Sequence, residues 1–83
     1  MPYIEKRLRH PDHVATSSGE LNFKLTSACL DYLDVMGTSY STFNDILGAL
    51  EGCKLELYRR QIASYEDQKI ISNGDVFPQT VTT

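Results

Sequence analysis

Between Ser18 and Gly37 the apolar side chains return every three or four residues. Leu21, Leu25, Ala28, Cys29, Tyr32, Leu33 and Met36 follow the i, i+4, i+7, i+8 spacing of a helix that buries one stripe. Ser18 can cap this helix, Glu20 suits the positive end of its dipole, and Gly37 stands where a left-handed C-terminal residue is wanted. Two large residues do not obey the stripe. At about 100° per residue, Phe23 and Leu30 project roughly opposite Leu21 and Tyr32. One face cannot bury both sets, so either the N-terminal arm or a partner subunit must cover the second pair.

After Gly37 comes Thr38-Ser39-Tyr40-Ser41, rich in cap formers, and then a second stripe: Phe43, Ile46, Leu47, Leu50, Cys53, Leu57 and Tyr58. Only a few residues join the two helices, which predicts packing as an antiparallel hairpin. Gly48 and Gly52 lie inside the second helix, where each costs roughly 1 kcal/mol relative to alanine. Spaced by four, they form a smooth strip continued by Leu55 and Arg59. The strip is either a close helix contact, within the chain or between subunits, or tolerated surface glycine.

The helical period runs on toward Ser72, but Ser64-Tyr65-Glu66-Asp67 resembles a cap followed by an acidic first turn. A break or kink is therefore expected near Ala63. Asn73-Gly74 stops the last helix, Asp75-Val76-Phe77 folds back, and residues from Pro78 onward read as a polar, frayed tail. Residues 1–18, with Pro2, Pro11 and Thr16-Ser17-Ser18, form an arm whose Tyr3, Ile4 and Leu8 can pack on the body. A strand at Tyr3-Ile4 is the alternative.

The expected fold is all-α: an antiparallel two-helix hairpin plus a short C-terminal helix, with ordered N- and C-terminal arms. The arm is 1–18, the helical domain 19–77 and the tail 78–83. A chain of 83 residues buries only about 60–65% of the surface its unfolded form exposes. Without disulfides or a metal, such a fold commonly gains margin by association, which predicts a helical homo-oligomer. A net charge of −3 argues against a nucleic-acid coat, which needs a basic field. Lys6, Arg7 and Arg9 with His10 are flanked by Glu5 and Asp12 and read as solvated surface. Cys29 and Cys53 fall in apolar helical patterns and read as buried free thiols of a protein kept in a reducing cytoplasm. The opening residues carry no apolar run suited to a signal peptide or a membrane span.

Chemistry-bearing clusters are few. His10 and His13 bracket Pro11 and Asp12, but no third histidine exists to complete a zinc site, and no metal or other cofactor is expected. Neither cysteine has a histidine on its helix, and no phosphate-cradling glycine loop is present, so an enzyme is not expected. The best candidate is Tyr58-Arg59-Arg60 with Tyr65 and Lys69. Two guanidinium forks suit phosphate or carboxylate oxygens, and the tyrosines can stack on a base. The bland alternative is surface ion pairing, since Glu56 lies three and four residues before the arginines and Glu66 three before Lys69.

Met1-Pro2-Tyr3-Ile4, Gly19-Glu20-Leu21-Asn22-Phe23, Ser39-Tyr40, Gly48-Ala49-Leu50-Glu51, Tyr58-Arg59-Arg60, Tyr65-Glu66-Asp67-Gln68-Lys69-Ile70 and Asn73-Gly74-Asp75-Val76 resemble a family of short uncharacterised proteins from bacteriophages and bacteria. In that family proline is common where this chain has Ser64, and tyrosine where it has Phe23. The resemblance implies origin more than mechanism, because the family brings no established activity. By analogy it implies a small phage protein, in the host cytoplasm, that acts by binding. One expectation is an oligomer that sequesters a nucleotide-derived immune signal through Arg59, Arg60, Tyr58, Tyr65 and Lys69, with Phe23, Leu30, Gly48, Gly52 and Leu55 at subunit contacts. The other is an adaptor that meets a host or phage protein through an exposed apolar helix face.

Overall fold

Helix α1 (Ser18–Met36) starts one residue before the expected point. Ser17, in extended backbone, takes the cap position and its hydroxyl accepts the Glu20 N–H at 3.2 Å. Ser17 wins over Ser18 because Glu20 stands three residues after it, the reciprocal capping spacing, and the Ser17 hydroxyl donates back to the Glu20 carboxylate at 2.8 Å. The helix ends at Gly37, whose N–H reaches the Leu33 carbonyl at 2.8 Å. Its φ of 85° with ψ of 156° is a region essentially confined to glycine, not the left-handed helical conformation expected.

The computed structural model describes residues 1–78, and the chain divides into two compact units, Met1–Leu47 and the residues from Gly48 onward. Every regular element among the described residues is helical, so the strand alternative at Tyr3-Ile4 does not form. In the first unit the arm instead makes a short 3-10 turn, Lys6–Leu8, and packs along α1. Ile4 and Leu8 are partly buried while Tyr3 stays 79% exposed. Gly19 is needed here, because a Cβ on it would lie 3.2 Å from both Ile4 Cγ2 and the Met1 carbonyl oxygen. Arg9 is more than solvated surface: its Nε donates to the Ile4 carbonyl at 2.9 Å and its guanidinium lies 5.7 Å from the Phe23 ring centre. Thus the arm covers Phe23 but leaves Leu30 57% exposed.

Helix α2 (Tyr40–Leu57) is capped by Ser39, whose hydroxyl accepts the Thr42 N–H at 3.1 Å. Gly37–Ser39 joins it to α1, and the Tyr32 hydroxyl donates to Asp45 at 2.8 Å, but α1 and the first-unit part of α2 otherwise meet only sparsely, so the expected packing as an antiparallel hairpin is not seen. In the second unit α2 passes into a π-helical segment, Tyr58–Ile62, and then into α3 (Ala63–Asn73). The break or kink expected near Ala63 is met in part: the π segment abuts Ala63, but the chain stays helical through it. Ile62 and Ala63 hold right-handed helical angles and no side chain caps the junction, so Ser64 is an ordinary helical residue. The irregularity is the π turn itself, closed by the Ala63 N–H, and no glycine or proline near Ser64 interrupts the helix. Gly74 ends α3 with φ 86°, and the Phe77 N–H then turns back to Asp75 Oδ1 at 3.0 Å. The expected polar tail lies outside the described residues after Pro78.

The expected core does not close. No hydrophobic side chain among the described residues is buried; only Glu20 and Thr42 are. The stripes hold exposed Leu21, Leu25, Tyr32, Met36, Phe43, Leu47, Leu50, Leu57 and Tyr58, with Leu33 and Ile46 partly buried. Helical periodicity fixes which side chains share a face, but it supplies no second surface to cover them. Cys29 is partly buried and Cys53 is exposed, so the reading of two buried thiols is corrected; both are free.

Candidate functional site

The arginine pair lies on the π segment. There the Ala63 N–H reaches back five residues to the Tyr58 carbonyl, a distortion that often accompanies function. As neighbours on a helical turn, the two arginines have different surroundings. Arg59 Nη2 donates to both carboxylate oxygens of Glu56 at 3.0 Å, and both side chains are exposed. Arg60 lines a shallow hollow of about 490 Å³ with Cys53, Glu56, Leu57 and Gln61.

Tyr58 and Lys69 line a different hollow of about 540 Å³, together with Ala63, Ile70 and Phe77. Three carboxylates, Glu66, Asp67 and Asp75, share its wall against the one lysine. A single copy therefore offers an anion poor electrostatics there. Lys69 Nζ sits 5.4 Å from the Tyr65 ring centre, a cation–π contact on an exposed face. Of the five proposed ligand residues, Tyr58 and Lys69 line one hollow, Lys69 lies over Tyr65, Arg59 is paired with Glu56, and Arg60 lines the other hollow. The proposed contact residues also scatter. Leu30 and Leu55 are exposed, Phe23 lies under Arg9, and a Cβ on Gly48 or Gly52 would meet open space. The two glycines thus make no close helix contact within the chain.

The most built polar cluster escaped the sequence reading. His13 Nε2 bonds Glu20 Oε1, the Ser17 hydroxyl donates to Oε2, and the Thr16 N–H approaches Oε1 at 3.4 Å. The His13 bond, followed by that of Ser17, holds the Glu20 carboxyl at about 2, below its ordinary 4.5. Ser17-x-x-Glu20 was the available signal, since it is a capping pair in plain view. His10 faces elsewhere and accepts the Asp12 N–H at 3.2 Å, so the two histidines do not converge. Among the described residues no three His, Cys, Asp or Glu side chains group to hold a metal ion. Asp45 raises the Tyr32 phenol above its ordinary 10.0 by accepting its proton in a hydrogen bond. None of the described helices is long and apolar enough to cross a membrane.

No curated protein and no solved structure matches this chain. A family profile described as "Domain of unknown function (DUF6899)" matches residues 1–76, and the chain, all-helical in its described residues, belongs to that family.

Proposed function

We propose that this protein is a non-enzymatic helical binding module that works as an assembly of its own copies. The observation that carries this reading is the absence of any buried hydrophobic side chain among the described residues. A soluble chain rarely leaves so much apolar surface uncovered unless another surface meets it. A small helical domain gains most of its stability from tertiary burial rather than helix propensity. Native mass spectrometry of the protein purified from cells tests this: the expected species holds two or more chains, and only single chains at all concentrations would refute it.

A phage-type protein of this kind would act by occupying a ligand or a host protein. Arg60, which has no ion pair among the described residues, is the guanidinium left for an anionic ligand, with Glu56 bordering the same hollow. On that reading copies bring Arg60, Tyr65 and Lys69 to a shared recess that sequesters a nucleotide-derived signal. Calorimetry with cyclic dinucleotides and ADP-ribose tests it; binding lost in Arg60→Ala supports the recess, and no heat with any candidate removes it. The acidic wall around Lys69 weighs toward the adaptor reading, in which the assembly meets a protein. Capture of one stoichiometric partner, lost on substituting the exposed Leu30 or Leu55, supports that reading.

A further inference from the structure

The exposed side of α1 carries a regular pattern of its own. Leu21, Leu25, Ala28, Tyr32 and Val35 are spaced four, three, four and three residues apart, the spacing of a heptad seam. All five are exposed, with Val35 at 81% and Leu21 at 53%. The arm lies along the adjoining side of α1, over Phe23 and with Pro11 accepting from Lys24; Ala28 and the flanking Lys24 and Asp31 border the hollow it frames, while Leu21, Leu25, Tyr32 and Val35 do not line it. A seam spaced this way is matched by a helix with the same spacing, and a second copy of α1 is one.

We propose that two copies pair through this seam, α1 against α1 and antiparallel, which rests on the self-association reading above. Charge decides the direction. Lys24 and Asp31 each lie one residue before a seam position, Leu25 and Tyr32, and so flank the seam on one side; its other side carries Asn22, Cys29 and Met36. In a parallel pair each flank faces the opposite flank, so Lys24 and Asp31 meet only uncharged side chains. In an antiparallel pair like flanks meet, and Lys24 of each copy comes beside Asp31 of the other, twice by symmetry. Asp31 has no ion-pair partner in its own chain among the described residues, and Lys24 is engaged only by the Pro11 carbonyl, which leaves donors free. The same antiparallel register sets Leu25 against the small Ala28 and Leu21 against Tyr32, so large side chains meet the space they need. Phe43 and Leu47 at the start of α2, both exposed, add apolar area in the same unit.

Charge exchange in the full chain tests this. Lys24→Glu and Asp31→Lys, each alone, set like charges together and are expected to raise the dimer dissociation constant about tenfold; together they restore it. Leu25→Glu, with helicity checked by circular dichroism, is expected to give folded or unfolded single chains but no dimer. If the wild-type chain associates and neither the exchange nor Leu25→Glu changes that, the seam is wrong while self-association stands. If the two single exchanges weaken association and the pair does not restore it, the antiparallel arrangement is wrong. A wild-type chain that never associates overturns both.

Discussion

The His13 imidazole and the Glu20 carboxylate are hydrogen-bonded across seven residues of chain, and this pairing fastens the N-terminal arm to the first turn of α1. The same carboxylate takes the Ser17 hydroxyl, so one side chain joins the helix cap to the arm.

The pH dependence of this fastening has a definite sign. The folded carboxyl sits at about 2 against 4.5 ordinarily, so its stabilising effect is complete above about pH 4.5 and is lost as pH falls toward 2. Glu20→Gln removes the ionisable group and should lower the thermal midpoint at neutral pH. It should also flatten the stability profile between pH 4.5 and 2, as followed by circular dichroism. An unchanged acid limb would show that Glu20 does not carry it.

Gly37 and Gly74 both adopt positive φ, at 85° and 86°, with nothing near a built Cβ. Their cost on substitution is thus conformational rather than steric crowding. Gly37→Ala is expected to destabilise by about 1–3 kcal/mol in denaturant titration. A neutral result would mean the α1–α2 connection relaxes to another path.

Gly48 and Gly52 predict the opposite sign. Both lie in helical backbone facing open space, so each change to alanine should stabilise the chain by roughly 0.5–1 kcal/mol. A loss of association in Gly48→Ala would place the glycine strip at a contact between copies.

Gly19→Ala should loosen the arm. The new Cβ would press on the backbone oxygen of Met1, which cannot swing aside as a side-chain tip can. Faster amide exchange at Ile4 and Leu8 with α1 intact is the expected result; unchanged exchange would show that the first residues simply move aside.

Elements were more legible in the sequence than their packing. The α1 stripe, Gly37, the Ser39 region and Asn73-Gly74 marked helix ends because caps and positive φ are local demands that particular residues satisfy. The π turn at Tyr58–Ile62 was not legible. A π turn is rare and is not marked by any special residue type, whereas Ser64-Tyr65-Glu66-Asp67 satisfied a cap rule without being used. The candidate site was visible as residue types only. Whether Arg59 is free or held depends on the Glu56 rotamer and on the turn geometry, and neither is encoded in spacing alone.

If association and folding are one event, the midpoint of chemical unfolding must depend on concentration. Denaturant titration of the full chain across a hundredfold range of protein concentration measures this directly. The midpoint should climb steadily as the protein is concentrated. A midpoint that stays fixed over the whole range would mean each chain is stable alone, contrary to the account given.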